Sequence, residues 1–321
     1  MKRLVIAALF GLGTCALAAD PPVPVTAPPV SDWAPDETIV VSAKAEGPAF
    51  WHIKKGDSEI YILATVDDLP VGTRFEEAHM VDVIKGSRVV LLPPKASSGF
   101  FSSAWFFLTH RDLLSMPDGK NLFDTLPSGL KARLVAVLDK LKTPKDKFND
   151  DPPIIAAVLL ENGFAANAKF IKGGLDETID KLASSNDVPV RRIAEYDALG
   201  LVKEMLHLPE PAQQACLEEA VTNVEQRMIH AGPLAAAWSV GDVKGIKAHY
   251  TPRAFWQCAN ATASFGKLYD RAVADYLKAV REALSRPGKT VLVTDVGPLL
   301  RNTGVVEKLH AEGVTIEGPA E

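Results

Sequence analysis

The chain has 321 residues, of which 47% are hydrophobic and 23% charged, and its net charge is −5. That composition is ordinary for a globular protein and long enough to bury one large core. With no extended basic run, it excludes a nucleic-acid binder, which needs a clustered positive surface for phosphate contacts.

An export signal comes first. Lys2 and Arg3 form a positive n-region, Leu4 to Leu12 an apolar stretch, and Ala16-Leu17-Ala18 an Ala-x-Ala cleavage site. The segment is too short for a membrane span, so residues 1–19 read as a signal peptide and the mature protein as periplasmic or secreted. Leu12-Gly13-Thr14-Cys15 loosely resembles a lipid-attachment motif, but Thr14 is a poor residue immediately before Cys15. Export without a lipid anchor is therefore the preferred reading. No later stretch has the ~18 uninterrupted apolar residues a membrane helix needs, so no transmembrane helix is expected in the mature chain. Residues 20–47 carry Pro21, Pro22, Pro24, Pro28, Pro29 and Pro35 with little that could pack, which predicts an extended Pro-rich linker.

The domain is predicted over 48–321. Ala49 to Ile53 and Glu59 to Thr65 read as two strands joined by a turn at Lys55-Gly56-Asp57-Ser58, which leaves Asp67 and Asp68 just past the second strand. A helix over Glu76–Lys85 and a strand over Arg88–Leu92 follow, the strand stopped by Pro93 and Pro94. The Phe100-to-Leu108 aromatic run reads as a core helix, with an exposed patch for a partner or membrane surface as its alternative. The middle is helical. Leu130, Leu134, Val137, Leu138 and Leu141 recur at helical spacing, Pro152-Pro153 opens a helix to Asn162, and Leu175, Ile179, Leu182 and Ala183 form an apolar face. A strand over 188–193 precedes helices over roughly 196–206, 210–230 and 233–239, with Gly241-Asp242 as a turn. A long amphipathic helix spans Ala263 to Leu284, a strand 290–295, a helix Val305 to Ala311, and a last strand lies near Val314. Strands alternating with helices predict an α/β fold: one domain, a central mixed β-sheet flanked by helices, and a helical middle segment.

Two cysteines remain after signal cleavage, Cys216 and Cys258. In an oxidising compartment such a pair predicts a disulfide, worth about 4 kcal/mol on the chain-entropy model; two buried thiols are the alternative.

Ile60 to Thr65, running into Val66-Asp67, resembles the first signature strand of the TraB/GumN (Tiki-like) family, which typically ends in Gly-x-x-His. Further matches come in the family's order. They are Lys172-Gly173-Gly174-Leu175-Asp176, Val190 to Glu195, Ala237-Trp238-Ser239-Val240-Gly241-Asp242, Tyr269-Asp270-Arg271, and Gly304-Val305 with Leu309, Gly313 and Val314. The resemblance implies a metal-dependent hydrolase or peptidase fold in which two Gly-x-x-His loops meet, with water activated by a divalent metal. This chain departs from the pattern at the chemical positions. Ala64 replaces the glycine, Asp67 the first histidine, Pro298 the second, and Ala272 the asparagine after Arg271.

Two interpretations of the site remain open. Either the fold is kept without its chemistry, leaving Asp67, Glu195 and Arg271 as a vestigial site, or Asp67, Asp68, Glu195 and Asp295 form a rebuilt carboxylate metal site. Oxygen donors suit Mg²⁺, Mn²⁺ or Ca²⁺ better than zinc. The inactive reading needs no cofactor and expects an envelope protein, peptide or polysaccharide as partner; the active reading implies Mn, Co or Mg. A structural accessory without a small ligand is a third possibility. The seven histidines form no His-x-x-x-His or His-Glu-x-x-His pattern. His110-Arg111-Asp112, Gly288-Lys289-Thr290 and Ser264-Phe265-Gly266-Lys267 lack the companions that kinase, phosphate-loop and penicillin-binding motifs require.

Overall fold

Ile60, Ile62, Val291, Leu292 and Val293 are all fully buried, and unbroken apolar runs of this kind mark strands covered on both faces. The two strands that carry them lie side by side in the sheet. The computed structural model describes residues 33, 40–41, 47–67, 69–97, 108–117, 119–171, 175–251, 258–259 and 262–319. The predicted signal peptide with Cys15, most of the predicted linker, Asp68, Phe100 to Phe107 and Lys172-Gly173-Gly174 lie outside the described residues.

The strands are β1 (Val40–Val41), β2 (Phe50–Lys55), β3 (Ser58–Thr65), β4 (Val89–Leu92), β5 (Lys95–Ser97), β6 (Val190–Arg192), β7 (Glu195–Asp197), β8 (Gly288–Asp295) and β9 (Glu317–Gly318). Seven form one sheet in the order β1-β9-β2-β3-β8-β4-β6, and β5 pairs with β7 separately. β3, β8, β4 and β6 run parallel, while β2 is antiparallel to β3 and to β9, so the sheet is mixed. The β2–β3 hairpin turns at Gly56-Asp57, with Gly56 at φ +58°.

The helices are α1 (Glu77–Ile84), α2 (Leu122–Thr125), α3 (Ser128–Lys140), α4 (Pro153–Asn167), α5 (Asp176–Ser184), α6 (Leu199–Leu206), α7 (Glu210–Ser239), α8 (Val243–His249), α9 (Ala263–Leu284), α10 (Val296–Leu300) and α11 (Val305–Ala311). Val273, Tyr276, Leu277, Val280 and Ala283 form the buried stripe of α9, spaced at the helical period and facing the sheet core. A second apolar core joins α2, α3, α4 and α7 through Leu122, Leu134, Leu138, Leu160, Leu217 and Val224. α7 belongs to both, because its later turns bury Leu234, Ala235 and Trp238 in the sheet core.

Four expectations need correction. The break predicted between 230 and 233 does not occur, and α7 runs 30 residues through Pro233. Proline there removes one backbone donor, but apolar packing on both sides of it keeps the axis going. The helix predicted from 196 begins at Leu199, because residues 195–197 form β7; Asp197 then accepts the Leu199 N–H at 2.9 Å. The last strand lies at Glu317–Gly318, not near Val314, and pairs with β1 and β2. Finally, three described residues of the predicted linker do pair with the domain. Trp33 bridges to Arg301, and Val40-Val41 pairs in parallel with β9.

The disulfide between Cys216 and Cys258 is present, spanning 42 residues and lying in an apolar cluster with Ile154, Leu199 and Leu206.

Candidate site at the C-terminal edge of the sheet

β3 and β8 are parallel neighbours with Thr65 opposite Asp295, so Asp67 and Asp295 leave the sheet at the same edge. The end of β3 is held from below. The fully buried Trp238 donates its indole N–H to the Ala64 carbonyl at 2.8 Å, and Phe75 meets the indole edge-on at 5.1 Å. The turn that follows Trp238 places Gly241 at φ +69°, a region that favours glycine, and Asp242 then caps α8 by accepting the Gly245 N–H at 2.8 Å.

Asp295 ends β8 and starts α10. Its Oδ1 accepts the Gly297 N–H at 2.8 Å, a helix N-cap, and the Tyr250 hydroxyl at 2.9 Å. Gly297 makes this approach possible, since a Cβ there would lie 2.5 Å from the Tyr250 oxygen. Burial first, and then the Asp295 charge, push the Tyr250 phenol well above its ordinary 10; Asp67 adds to the shift and Arg301 opposes it. Asp67, Tyr250, Asp295 and the buried Arg301 thus share one electrostatic neighbourhood. Trp33 stands over it, meeting Tyr250 edge-on at 5.5 Å.

Further along the same edge, the buried Tyr276 phenol is raised by desolvation and hydrogen-bonds Thr294. Tyr196 donates to Asp275 at 2.7 Å, and desolvation ahead of that carboxylate raises its phenol too. Arg271 stacks over the Tyr196 ring at 5.0 Å with Asp275 at 3.9 Å, and Arg192 pairs with Asp176 at 3.0 Å while donating to the Pro93 carbonyl. The edge is therefore lined by phenols, guanidinium groups and carboxylates that already bond one another.

The predicted site residues separate. Asp67 and Asp295 come to one edge, and Arg271 lies beside Tyr196 and Asp275. Glu195 does not end the strand that was expected to carry it; β6 stops at Arg192, and Glu195 is exposed in β7 opposite Lys95. Among the described residues no three His, Cys, Asp or Glu side chains converge as a metal-holding group, so Asp67, Glu195 and Asp295 do not make the expected carboxylate cluster. Asp295 instead spends one oxygen on a helix cap and a phenol, and Pro298, at the second histidine position, lies within α10. Among the described residues, which exclude Asp68, no donor set for a divalent metal is gathered at this edge.

Sequence reasoning missed Tyr250, Arg301, Trp33 and Tyr276, none of which carries a local signal. It also treated the histidines as scattered, whereas His230 and His249 bring their Nδ1 atoms within 3.1 Å where α7 meets α8.

A family model described as the TraB/PrgY/gumN family matches residues 49–318. No curated protein and no solved structure matches the chain.

Proposed function

The chain belongs to the TraB/PrgY/gumN family, and we propose that within it this is an exported binding or accessory protein of the cell envelope, without hydrolytic chemistry. The observation that carries this reading is the state of Asp295: its Oδ1 is engaged by the Gly297 amide and the Tyr250 phenol where a metal ligand would be needed. The surrounding groups suit recognition. The exposed Arg271 guanidinium, backed by the buried Tyr196, and the half-buried Trp33 against Tyr250 offer planar groups with polar tips, a combination that suits a peptide or a polysaccharide. The Cys216–Cys258 disulfide supports an oxidising location, in keeping with the Lys2-to-Ala18 signal pattern.

The second reading is a metal-dependent hydrolase with a rebuilt site, favoured by the placement of Asp67 and Asp295 past the ends of adjacent parallel strands. Metal stoichiometry separates the two. The purified mature protein is equilibrated with Mn²⁺, Co²⁺ and Zn²⁺, desalted, and measured by inductively coupled plasma mass spectrometry beside an Asp67→Ala variant. The binding reading expects no retained metal. About one metal per chain, absent from the variant, would overturn it, because a bound ion requires deprotonated ligands fixed in place.

A further inference from the structure

A cleft of about 230 Å³ lies between α9 and the β4–β6 side of the sheet. It shares Arg192 and Asp275 with the far end of the edge described above and runs from there toward the start of β4 and β8. Its walls carry Arg88, Arg191, Arg192, Lys278 and Arg286 against two acids, Asp275 and Glu282. In a chain of net charge −5 this is a local reversal of sign.

Some of these charges are already matched. Arg192 pairs with Asp176 at 3.0 Å, Lys278 faces Glu282 at 3.9 Å, and Asp275 accepts from Tyr196 and sits 3.9 Å from Arg271. Arg88, Arg191 and Arg286 have no ion pair with an acid among the described residues. Arg88 is the most constrained. It is half-buried, its stem lies across Gly288, where a Cβ would come within 3.2 Å of the Arg88 Cδ, and its Nη2 donates to the Ala283 carbonyl at 3.3 Å and Thr290 Oγ1 at 3.1 Å. Its Nε is buried and has no hydrogen-bond partner. A guanidinium fixed in place but neutralised only by dipoles is costly unless an anion joins it.

We propose that this cleft binds a phosphoryl group, either inorganic phosphate or a phosphate ester on a small organic carrier. Three guanidinium forks without carboxylate partners match an anion that offers several oxygens and about −1.5 to −2 charge near neutral pH. A single carboxylate, with one negative charge, would leave most of that positive charge unbalanced.

The test is isothermal titration calorimetry of the full mature chain at fixed ionic strength, with inorganic phosphate, glycerol 3-phosphate and acetate as probes. Phosphate or glycerol 3-phosphate should bind in the cleft at least about tenfold more tightly than acetate, the scale of one charge-assisted hydrogen bond. Arg88→Gln and Arg286→Gln should each weaken phosphoryl binding by about tenfold, and Arg88→Lys by less. Arg286 is exposed, so its variant tests the cleft without risk to the fold. Tighter binding of glycerol 3-phosphate would identify an organic carrier, and equal binding the free anion; both support the site. Equal affinity for acetate, wild-type affinity in both glutamine variants, or no phosphate-dependent heat would overturn it.

Discussion

The Tyr250 hydroxyl donates to Asp295 Oδ1 across 2.9 Å, joining the end of α8 to the start of α10 over the edge of the sheet. A hydrogen bond to a carboxylate stabilises by about 1.5–3 kcal/mol, so Tyr250→Phe should lower unfolding free energy by that amount in urea denaturation. Gly297→Ala should cost a comparable amount, because its Cβ would lie 2.5 Å from the Tyr250 oxygen. In the double variant the two losses should not add, since phenylalanine has no hydroxyl to collide with. Strict additivity would mean that the three residues are not coupled.

Trp33 ties the N-terminal segment to the same place, through a bridge to Arg301 and an edge-to-face contact with Tyr250 at 5.5 Å. An aromatic pair of this kind adds about 0.5–1.5 kcal/mol beyond its buried area. Trp33→Ala should therefore speed limited proteolysis within the first 47 residues while leaving the disulfide-linked domain intact on a gel. Unchanged cleavage kinetics would show that the contact does not hold the segment in place.

His230 and His249 set an acid limit on stability. Their Nδ1 atoms are 3.1 Å apart, so one must accept while the other donates. Burial first, then the neighbouring His249, lowers His230 below its ordinary 6.5. The folded state thus refuses a proton that the unfolded chain accepts. The contribution to stability is full above pH 6.5 and is lost as pH falls through the lowered folded value. His230→Gln should flatten this acid-side loss of denaturation midpoint. An NMR titration placing the His230 ring at or above 6.5 would contradict the assignment.

The parts legible in sequence are those written in local patterns. The Gly56-Asp57 turn between two strands, the α9 stripe and the fully buried β8 run all follow from spacing and turn chemistry. Glu195 was misplaced because Val190 to Glu195 looks like one strand, while Ile193 and Ala194 form a step between two separate sheets. The break expected near Pro233 followed local propensity, which the packing of Leu234 and Trp238 overrides. Tyr250 reaches Asp295 from 45 residues away, and β3 and β8 pair across more than two hundred positions. Neighbourhoods made by strand order leave no trace in a single sequence window.

The Cys216–Cys258 bond was legible from the cysteine count and the expected oxidising compartment, and its energetic role can be measured. It closes a 42-residue separation between α7 and the segment entering α9, beside Ile154, Leu199 and Leu206. On the chain-entropy model such a loop stabilises by about 4 kcal/mol, chiefly by restricting the unfolded chain. A Cys216→Ser, Cys258→Ser double variant should lose about that much in denaturant unfolding, in proportion to a lower midpoint and with a larger slope, because the unlinked chain exposes more surface when unfolded. The folded far-ultraviolet spectrum should not change, since α6 and α7 retain their apolar contacts. Equal stability with and without the bond would instead mean that the loop is already restricted in the unfolded ensemble.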